Sequence, residues 1–271
     1  MREVAFVTLP SNLNLLDNGK ILPGLLPARP SAVLSRDIPD LLPDCLHVWR
    51  VPLDQDRQCI SSFVQTLAAD ETARMQRYRF DRDRNRFAVA RGALRYLLSA
   101  YLGIPPRAIV FSYGANGKPC VKNSRNDFSL HFNISHSHTV ALMAFVLDME
   151  IGVDIEKIRP ASDIESVAAV FLSAQEKNVF EKLSIEEKSD AFYRYWTFKE
   201  AYMKACGQGM TLDPRSFAVS IEDDMPGLAR LPGGDENCDG WRFARLDVGA
   251  EYEAAVVYAC GNAQSISMRD F

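Results

Sequence analysis

Two carboxylates share one side of a short alternating segment, Ile151-Gly152-Val153-Asp154-Ile155-Glu156. Its apolar residues alternate with glycine or acidic residues, which predicts a β-strand with one buried face. At the usual rise per residue, Asp154 and Glu156 lie about 6.6 Å apart along the other face. Such a pair can bind Mg²⁺, which takes a few carboxylate oxygens and completes its shell with water and phosphate. The same pattern also fits a solvated strand face without a function.

A second candidate is the segment Trp196-Thr-Phe-Lys-Glu-Ala-Tyr-Met-Lys204, which lies in a predicted long helix. Trp196, Glu200 and Lys204 recur every four residues and therefore share one stripe of that helix. A glutamate and a lysine at this spacing are typical of an exposed surface pair that contributes a few tenths of a kcal/mol. Taken alone, the segment indicates no catalytic role.

The segment Phe132-Asn-Ile-Ser-His-Ser137 places a serine next to a histidine. A hydrolase pair is disfavoured, because neighbours on an extended chain point to opposite faces and the sequence lacks a GxSxG motif. A zinc site at His136 and His138 would need a third ligand, and none of the right type and spacing is present. The remaining functional interpretation is that Ser135 and His136 donate hydrogen bonds to phosphates.

Arginine is abundant in and before the long helix predicted for the first half of the chain, at Arg77, Arg79, Arg82, Arg84, Arg86, Arg91 and Arg95. Arg91 stands four residues from both Phe87 and Arg95, near the edge of the apolar stripe. A guanidinium group there can present a planar fork to a phosphate. An ordinary solvated helix face explains most of these arginines, and both interpretations stay open for Arg91.

The segment Gly114-Ala-Asn-Gly-Lys-Pro119 joins two predicted strands. Asn-Gly supplies the positive φ angles that a tight hairpin needs, so a plain turn explains the segment. A functional alternative is that the glycines let a flat ligand approach the backbone while Lys118 offers a cation to phosphate.

Composition narrows the class of protein. The chain has 271 residues and 47% apolar residues, enough for one large domain or two small ones. A net charge of −4 gives no support for nucleic-acid binding, which normally needs a basic face. The six cysteines show neither CxxC pairs nor metal-site spacing. Without a signal-peptide pattern, and with its longest apolar run only Val140 to Leu147, the chain is expected to be soluble, reduced and cytoplasmic.

The predicted elements form two similar halves, residues 45–150 and residues 151–271. Gly103 and Gly207, each expected to end a long helix, lie 104 residues apart, and the strand segments 48–51 and 152–155 have the same separation. We therefore predict an α+β fold of two pseudo-symmetric α/β halves with a ligand cleft between them. Predicted strands cover residues 46–51, 109–113, 130–134, 140–147, 151–156, 216–221, 241–247 and 252–260.

Helix signals complete this outline. Ser173-Ala-Gln-Glu176 and Ser184-Ile-Glu-Glu187 are capping boxes, each expected to open a helix. Shorter helices are expected near residues 60–67 and 70–78, and a long one over residues 83–102. Residues 1–44, rich in proline and leucine, are expected to form an arm on the surface of the body rather than a disordered tail.

Together, these motifs resemble a known family. G-V-D-I-E at 152–156, followed about forty residues later by W-x-x-K-E-A-x-x-K at 196–204, is similar to the paired signature of the 4′-phosphopantetheinyl transferases. G-K-P at 117–119, F-N-I-S-H-S at 132–137 and the basic helix extend the similarity to their large, pseudo-dimeric Sfp-type branch. The resemblance covers roughly residues 45–260 and leaves residues 1–44 outside it.

The resemblance implies Mg²⁺-dependent transfer of the 4′-phosphopantetheine arm of coenzyme A to a serine of an apo carrier protein. Asp154, Glu156 and Glu200 would surround the Mg²⁺. Glu200 would accept the serine proton, directly or through water, and Lys204 would stabilise charge on the pyrophosphate. The coenzyme A-binding set implied by the resemblance comprises Arg74, Arg91, Gly117, Lys118, Pro119, Asn133, Ser135, His136 and Lys204.

Within that set the resemblance distinguishes several roles. Arg91 and His136 would lie nearest the 3′-phosphate, the backbone of Gly117–Pro119 would face adenine, and Arg74 aligns more loosely. The implied partner is an acyl or peptidyl carrier protein, with no nucleic acid or membrane partner, and the protein is expected to be a monomer. The alternatives are an inactive protein that binds coenzyme A or a carrier, and an unrelated Mg²⁺-dependent phosphodiesterase.

Overall fold

The computed structural model describes residues 16–17, 20–21, 38–121, 124–125, 128–159, 164–221, 226–230 and 240–271. Most of the expected arm, residues 1–44, lies outside these ranges, so its arrangement stays a prediction. Within the described residues, Ile38 and Leu41 pack against the core of the first half.

Six α-helices lie in the described part of the chain: α1 (Arg57–Val64), α2 (Ala69–Gln76), α3 (Asp81–Leu102), α4 (Ile164–Phe171), α5 (Ala174–Phe180) and α6 (Ile185–Ala205). Strands β1 (Leu16–Asp17) and β2 (Lys20–Ile21) lie within residues 1–44 and pair with each other. Strands of the first half are β3 (Cys45–Pro52), β4 (Phe111–Tyr113), β5 (Pro119–Val121), β6 (Ser124–Arg125), β7 (Phe128–Ser137) and β8 (Val140–Leu147). Strands of the second half are β9 (Ile151–Lys157), β10 (Ala218–Ser220), β11 (Gly227–Arg230), β12 (Trp241–Arg245), β13 (Tyr252–Ala259) and β14 (Ser265–Asp270).

A five-stranded sheet forms the first half, in the order β14-β3-β8-β7-β6. Strand β3 is antiparallel to β8, and β8 is antiparallel to β7. Helices α1 and α3 cover one face of this sheet and enclose a core that includes Phe63, Leu94, Leu97 and Phe145. The prediction of a long helix packed on strands is confirmed for this half.

A smaller sheet, β12-β13-β9, forms the second half, and α6 packs across β9 and β13. Gly152 permits this packing, because a Cβ atom there would collide with the backbone of α6 at Ala201 and Ala205. The expectation of a half-exposed β9 is wrong, since every residue from 151 to 155 is buried. The sequence pattern did not show that α6 covers the polar side of the strand.

Glycine and serine end and begin the helices where the sequence indicated. Gly103 and Gly207 follow α3 and α6 with φ angles of 69° and 70°, a left-handed conformation that favours glycine. The capping boxes are also confirmed: the backbone N–H of Glu176 donates to Ser173 Oγ, and the backbone N–H of Glu187 donates to Ser184 Oγ. The ends of both long helices and the start of α6 therefore follow from local sequence, whereas α3 begins at Asp81 without a side-chain cap.

The C-terminal segment departs from the expected division into two halves. Strand β14 pairs in parallel with β3 and thereby joins the sheet of the first half. Phe271, the next residue, packs against Trp49 and Phe63. Helix α4 and strand β14 were not predicted, because neither has a strong local start or stop signal.

Side chains of β7 join the two halves along β9. Asn133 Oδ1 accepts a hydrogen bond from the backbone N–H of Val153 at 2.9 Å. Ser137 Oγ accepts one from the backbone N–H of Lys157 at 3.0 Å. Both contacts satisfy backbone donors that would otherwise be left unpaired beside β7. Strands β7 and β9 therefore meet directly at the junction of the two halves, where the sequence predicted a cleft.

Candidate active site

The catalytic candidates meet where β7, β9 and α6 come together. Lys204 Nζ, from the last turn of α6, lies 2.6 Å from Asp154 Oδ1 on β9 and 2.9 Å from Ser135 Oγ on β7. It also donates to the backbone oxygen of Val153 at 3.3 Å. The structure thus brings together three residues that are widely separated in the sequence.

Asp154 is at the centre of this network and is almost fully buried, with 3% of its surface exposed. Its Oδ1 atom accepts from Ser135 Oγ at 2.8 Å as well as from Lys204. Its Oδ2 atom is also buried and has no hydrogen-bond partner in the described part of the chain. A buried carboxylate oxygen without a partner is costly, and a bound cation would satisfy it.

Glu156 and Glu200 add two more carboxylates to the same region. Burial raises the pKa of Glu156, with a further increase from the charge of Asp154, although the hydrogen bond that Ser137 Oγ donates to Glu156 Oε2 at 2.8 Å opposes the rise. Burial likewise raises the pKa of Glu200; Lys204 lowers it, and the charges of Asp154 and Glu156 raise it. The three carboxylates are therefore close enough to repel one another.

These residues suit a hard divalent cation, although no ready-made ligand cluster is present. Among the described residues, no three His, Cys, Asp or Glu side chains form a metal-ligating group. The donors are nonetheless all carboxylate oxygens, which Mg²⁺ prefers. Added positive charge would be favourable here, because the Oδ2 atom of Asp154 has no partner among the described residues and the pKa values of Glu156 and Glu200 are raised.

His136 lies between Ser135 and Ser137 on β7 and keeps part of its surface exposed, whereas both serines are buried. Partial burial lowers the pKa of its imidazole, and the nearby charge of Lys204 lowers it further. The ring is therefore biased towards its neutral form, which has one N–H donor. Its neighbours Asn133 and Ser135 are buried, and both already make hydrogen bonds to β9.

Arg91 is held in a fixed orientation on α3. Its Nε atom donates to Glu71 Oε1 at 2.6 Å, and one terminal nitrogen donates to the hydroxyl of Tyr113 at 2.8 Å. Its guanidinium carbon lies 4.2 Å from the centre of the Phe111 ring. Glu71, which is buried, also pairs with the buried Arg95 at 2.7 Å. One carboxylate therefore positions two arginines.

The remaining predicted coenzyme A ligands lie on α2 and on the hairpin between β4 and β5. Arg74 stacks over the ring of Phe87, with 5.6 Å from its guanidinium carbon to the ring centre. Gly117 has a φ angle of 82°, a left-handed conformation that favours glycine at this turn. Lys118 Nζ pairs with Glu150 Oε2 at 2.8 Å and donates to the backbone oxygen of Ala205 at 3.1 Å. Pro119 begins β5.

Comparisons with known proteins identify the family. Residues 150–257 match the family described as the 4′-phosphopantetheinyl transferase superfamily, and residues 50–147 match the one described as 4′-phosphopantetheinyl transferase, N-terminal. The 4′-phosphopantetheinyl transferase HetI of Nostoc sp. is 43% identical over 170 residues, covering 63% of this chain and 72% of HetI. The chain belongs to the 4′-phosphopantetheinyl transferase superfamily.

Two more relatives support this assignment. A putative 4′-phosphopantetheinyl transferase of Synechocystis sp. is 36% identical over an alignment that covers 73% of this chain and 78% of the Synechocystis protein. The 4′-phosphopantetheinyl transferase Sfp of Bacillus subtilis is 29% identical over an alignment that covers 69% of this chain and 80% of Sfp. The protein is thus an enzyme, a 4′-phosphopantetheinyl transferase of the Sfp type, as the motifs predicted. No helix in the described part of the transferase is long and apolar enough to cross a membrane.

One residue of the transferase signature has a role that sequence analysis missed. Lys199, next to Glu200, is fully buried, and its Nζ atom lies 2.6 and 2.7 Å from the two carboxylate oxygens of Glu176. It also donates to the backbone oxygen of Phe217 at 2.9 Å. Glu176 in turn accepts from the backbone N–H groups of Ser173 and Val219. The sequence offered one signal for this pair. The capping box of α5 identified Glu176, and the same glutamate binds Lys199.

Trp196 of the transferase also differs from the simple surface stripe. Its ring stacks on Phe171 at 4.2 Å between ring centres and contacts Phe192 at 5.7 Å. The stripe formed by Trp196, Glu200 and Lys204 is therefore divided: the tryptophan anchors α6 to α4, whereas Lys204 contacts Asp154 and Ser135.

Proposed function

We propose that this transferase moves the 4′-phosphopantetheine arm of coenzyme A to a serine of an apo carrier protein and releases adenosine 3′,5′-bisphosphate. The serine oxygen attacks the phosphorus attached to pantetheine, and the bond from that phosphorus to the oxygen of the leaving nucleotide breaks. The observation that carries the proposal is the contact of Lys204 with Asp154 and Ser135 next to Glu156 and Glu200. This arrangement combines the ammonium group of a lysine, three carboxyl groups and a serine hydroxyl in one region.

The cation proposed for this cleft is Mg²⁺, held by Asp154, Glu156 and Glu200. When bound, Mg²⁺ supplies positive charge that neutralises the pyrophosphate. The support is the unpartnered, buried Oδ2 atom of Asp154 and the mutual repulsion of the carboxylates. Ser135 and Ser137 hold the first two carboxylates through hydrogen bonds of 2.8 Å, so their orientation is set before any cation arrives.

Glu200 is the proposed acceptor of the serine proton. Burial raises its pKa, so it holds a proton more tightly than an exposed glutamate does. Lys204, on the next turn of the same helix, is the proposed partner of the pyrophosphate. Its ammonium group has three donors, and the flexible stem lets it exchange one contact in the cleft for a phosphate oxygen.

Coenzyme A is proposed to lie along the first half, with Arg91 and His136 binding its phosphates. Arg91 is suited to this role because Glu71 and Tyr113 hold its guanidinium group in one orientation. His136 adds a neutral N–H donor next to Ser135 in the sequence, and the charge of Lys204 reaches its ring. The backbone of Gly117–Pro119 is proposed to face adenine, and Arg74 is a more distant candidate.

The acceptor is proposed to be an acyl or peptidyl carrier protein, consistent with the family. The experiment is to incubate the protein with coenzyme A, Mg²⁺ and a panel of apo carrier proteins, then to weigh each carrier by mass spectrometry and to quantify adenosine 3′,5′-bisphosphate. The proposal predicts one phosphopantetheine per carrier and an equal amount of the nucleotide. Binding without a mass gain, or cleavage of coenzyme A without an acceptor, would overturn it. Expectations of a monomer and of a cytoplasmic location stay predictions.

A further inference from the structure

The hairpin between β4 and β5 is docked onto the end of the catalytic helix. Asn116 Nδ2 donates to the backbone oxygen of Gly207 at 2.9 Å, and Lys118 Nζ donates to the backbone oxygen of Ala205 at 3.1 Å. The hairpin belongs to the first half, whereas both acceptors lie at the end of α6 in the second half. These contacts join residues that are 91 and 87 positions apart in the sequence.

This docking has a clear physical basis. The last four carbonyl groups of a helix lack partners within the helix, and the helix dipole gives that end partial negative charge. The ammonium group of Lys118 supplies both a hydrogen-bond donor and a compensating positive charge at Ala205. The turn itself is well formed, since the backbone N–H of Gly114 donates to the oxygen of Lys118 at 2.9 Å and that of Gly117 donates to the oxygen of Gly114.

A carboxylate fixes the same ammonium group from another side. Lys118 Nζ lies 2.8 Å from Glu150 Oε2, and the other oxygen of Glu150 lies 3.4 Å from His131 Nδ1. Glu150 directly precedes β9, the strand that carries Asp154. Lys118 therefore binds next to both elements of the site. One is the end of α6, the helix that carries Lys204, and the other is the start of β9, the strand that carries Asp154.

We propose that Lys118 is a positioning residue, which holds the end of α6 and the start of β9 against the hairpin so that Lys204 and Asp154 stay in register. This inference rests on the proposed function and replaces the expected contact between Lys118 and a coenzyme A phosphate. Both acceptors of Lys118 lie at elements of the second half, Glu150 directly before β9 and Ala205 in α6, which fits a residue that holds these two elements together. Its effect on the reaction passes through Lys204, the residue next to Ala205.

Two single variants distinguish positioning from phosphate binding. Lys118→Met keeps much of the side-chain length but removes the charge, whereas Glu150→Ala removes the partner and releases the lysine. If Lys118 positions α6, both variants lower kcat, Lys118→Met by about tenfold and Glu150→Ala by less, while KM for coenzyme A changes less than about twofold. The double variant loses little more than Lys118→Met, because both changes disrupt one contact.

The matched control is Lys188→Met, at the opposite end of α6, where Lys188 pairs with Glu165. It should leave both kinetic constants for coenzyme A unchanged. Hydrogen exchange of the peptide that covers the end of α6 should accelerate in Lys118→Met and not in Lys188→Met. Thermal unfolding of each variant verifies that the whole fold is intact.

The contrary result is equally specific. A tenfold rise in KM for coenzyme A in Lys118→Met, with kcat preserved, together with unchanged or tighter binding in Glu150→Ala, would assign Lys118 to phosphate binding and overturn the inference. Failure of the parent protein to modify any carrier would instead count against the proposed function. Transfer by the parent, with both variants at parental kcat, would overturn the positioning role alone.

Discussion

Lys204 Nζ lies 2.6 Å from Asp154 Oδ1, although these residues are fifty positions apart and belong to different elements. The contact requires α6 to approach β9 closely, and Gly152 makes that approach possible because any Cβ atom there would meet the helix backbone. A small residue in the signature therefore controls the distance between two charged ones. Gly152→Ala should separate Lys204 from Asp154 by displacing the helix.

Removal of the metal should abolish transfer. We expect EDTA to stop the reaction, added Mg²⁺ to restore it, and Asp154→Asn to fold normally while losing about a thousandfold in kcat, since charge neutralisation of the pyrophosphate carries much of the rate. Binding of Mg²⁺ measured by calorimetry should weaken in the same variant. Asp213→Asn, which changes an exposed aspartate, is the control. Full activity of Asp154→Asn in EDTA would contradict the metal assignment.

Arg91 should affect substrate binding more than turnover. Arg91→Ala is expected to raise KM for coenzyme A about tenfold with a smaller fall in kcat, because anchoring of a phosphate acts equally on ground and transition states. If the contact is to the 3′-phosphate, the variant should use coenzyme A and dephospho-coenzyme A with similar KM values, unlike the parent. Arg82→Ala, on an exposed part of α3, is the control. A variant that keeps the parental preference for coenzyme A excludes this role.

The buried pair of Lys199 and Glu176 should dominate the stability of the second half. Lys199→Met leaves a buried carboxylate without its counter-ion and should reduce the free energy of unfolding by about 3–5 kcal/mol. The double change Lys199→Met with Glu176→Leu should recover part of this loss, because no buried charge remains, although the backbone N–H groups of Ser173 and Val219 lose their acceptor. Urea denaturation measures both. A loss below about 1 kcal/mol for the single change would contradict the account.

His47 should make the first half sensitive to acid. Burial lowers its pKa from 6.5 to about 4, with a smaller contribution from the charge of Arg269. Its Nδ1 atom lies 2.8 Å from the hydroxyl of Tyr101, which itself accepts from Trp49 Nε1 at 2.7 Å. The unfolded chain therefore binds the proton more tightly than the folded one. Stability is full above about pH 6.5 and falls as the pH drops towards 4.

The magnitude of this effect follows from about 1.4 kcal/mol per pKa unit, which gives a loss of about 3 kcal/mol at low pH. His47→Gln should flatten this part of the pH profile, since glutamine does not titrate. Carboxylates titrate in the same window, so the measurement is the difference between parent and variant in urea denaturation from pH 4 to pH 7. Equal slopes for the two proteins would show that His47 does not carry the effect.

Local signals in the sequence predicted the elements better than their contacts. The capping serines, Ser173 and Ser184, and the glycines after the long helices mark boundaries because each satisfies backbone groups within a few residues. Strand β14 could not be predicted in this way, since its partner β3 lies more than two hundred residues away. Strand β3 was predicted from its own residues, but nothing in them indicates that β14 is its partner.

The same distinction applies to the site. Asp154, Glu200 and Lys204 were identified because their spacing resembles a family signature, and the structure brings Lys204 and Asp154 into contact. Lys199 belongs to the same signature, but its role depends on Glu176, which the sequence indicated only as a helix cap. Glu176 binds both the N-terminus of α5 and Lys199, and only the first of these contacts lies between residues that are close in the sequence.

Glu200 gives the most direct test of the central claim, that the cleft between the halves carries out the transfer. The measurement is the mass of an apo carrier protein after incubation with coenzyme A, Mg²⁺ and either the parent or Glu200→Gln, sampled over time. Glutamine cannot accept the serine proton and is a poorer cation ligand, so we predict a folded variant with kcat lower by orders of magnitude. Phosphopantetheine transfer by Glu200→Gln at close to the parental rate would contradict the account.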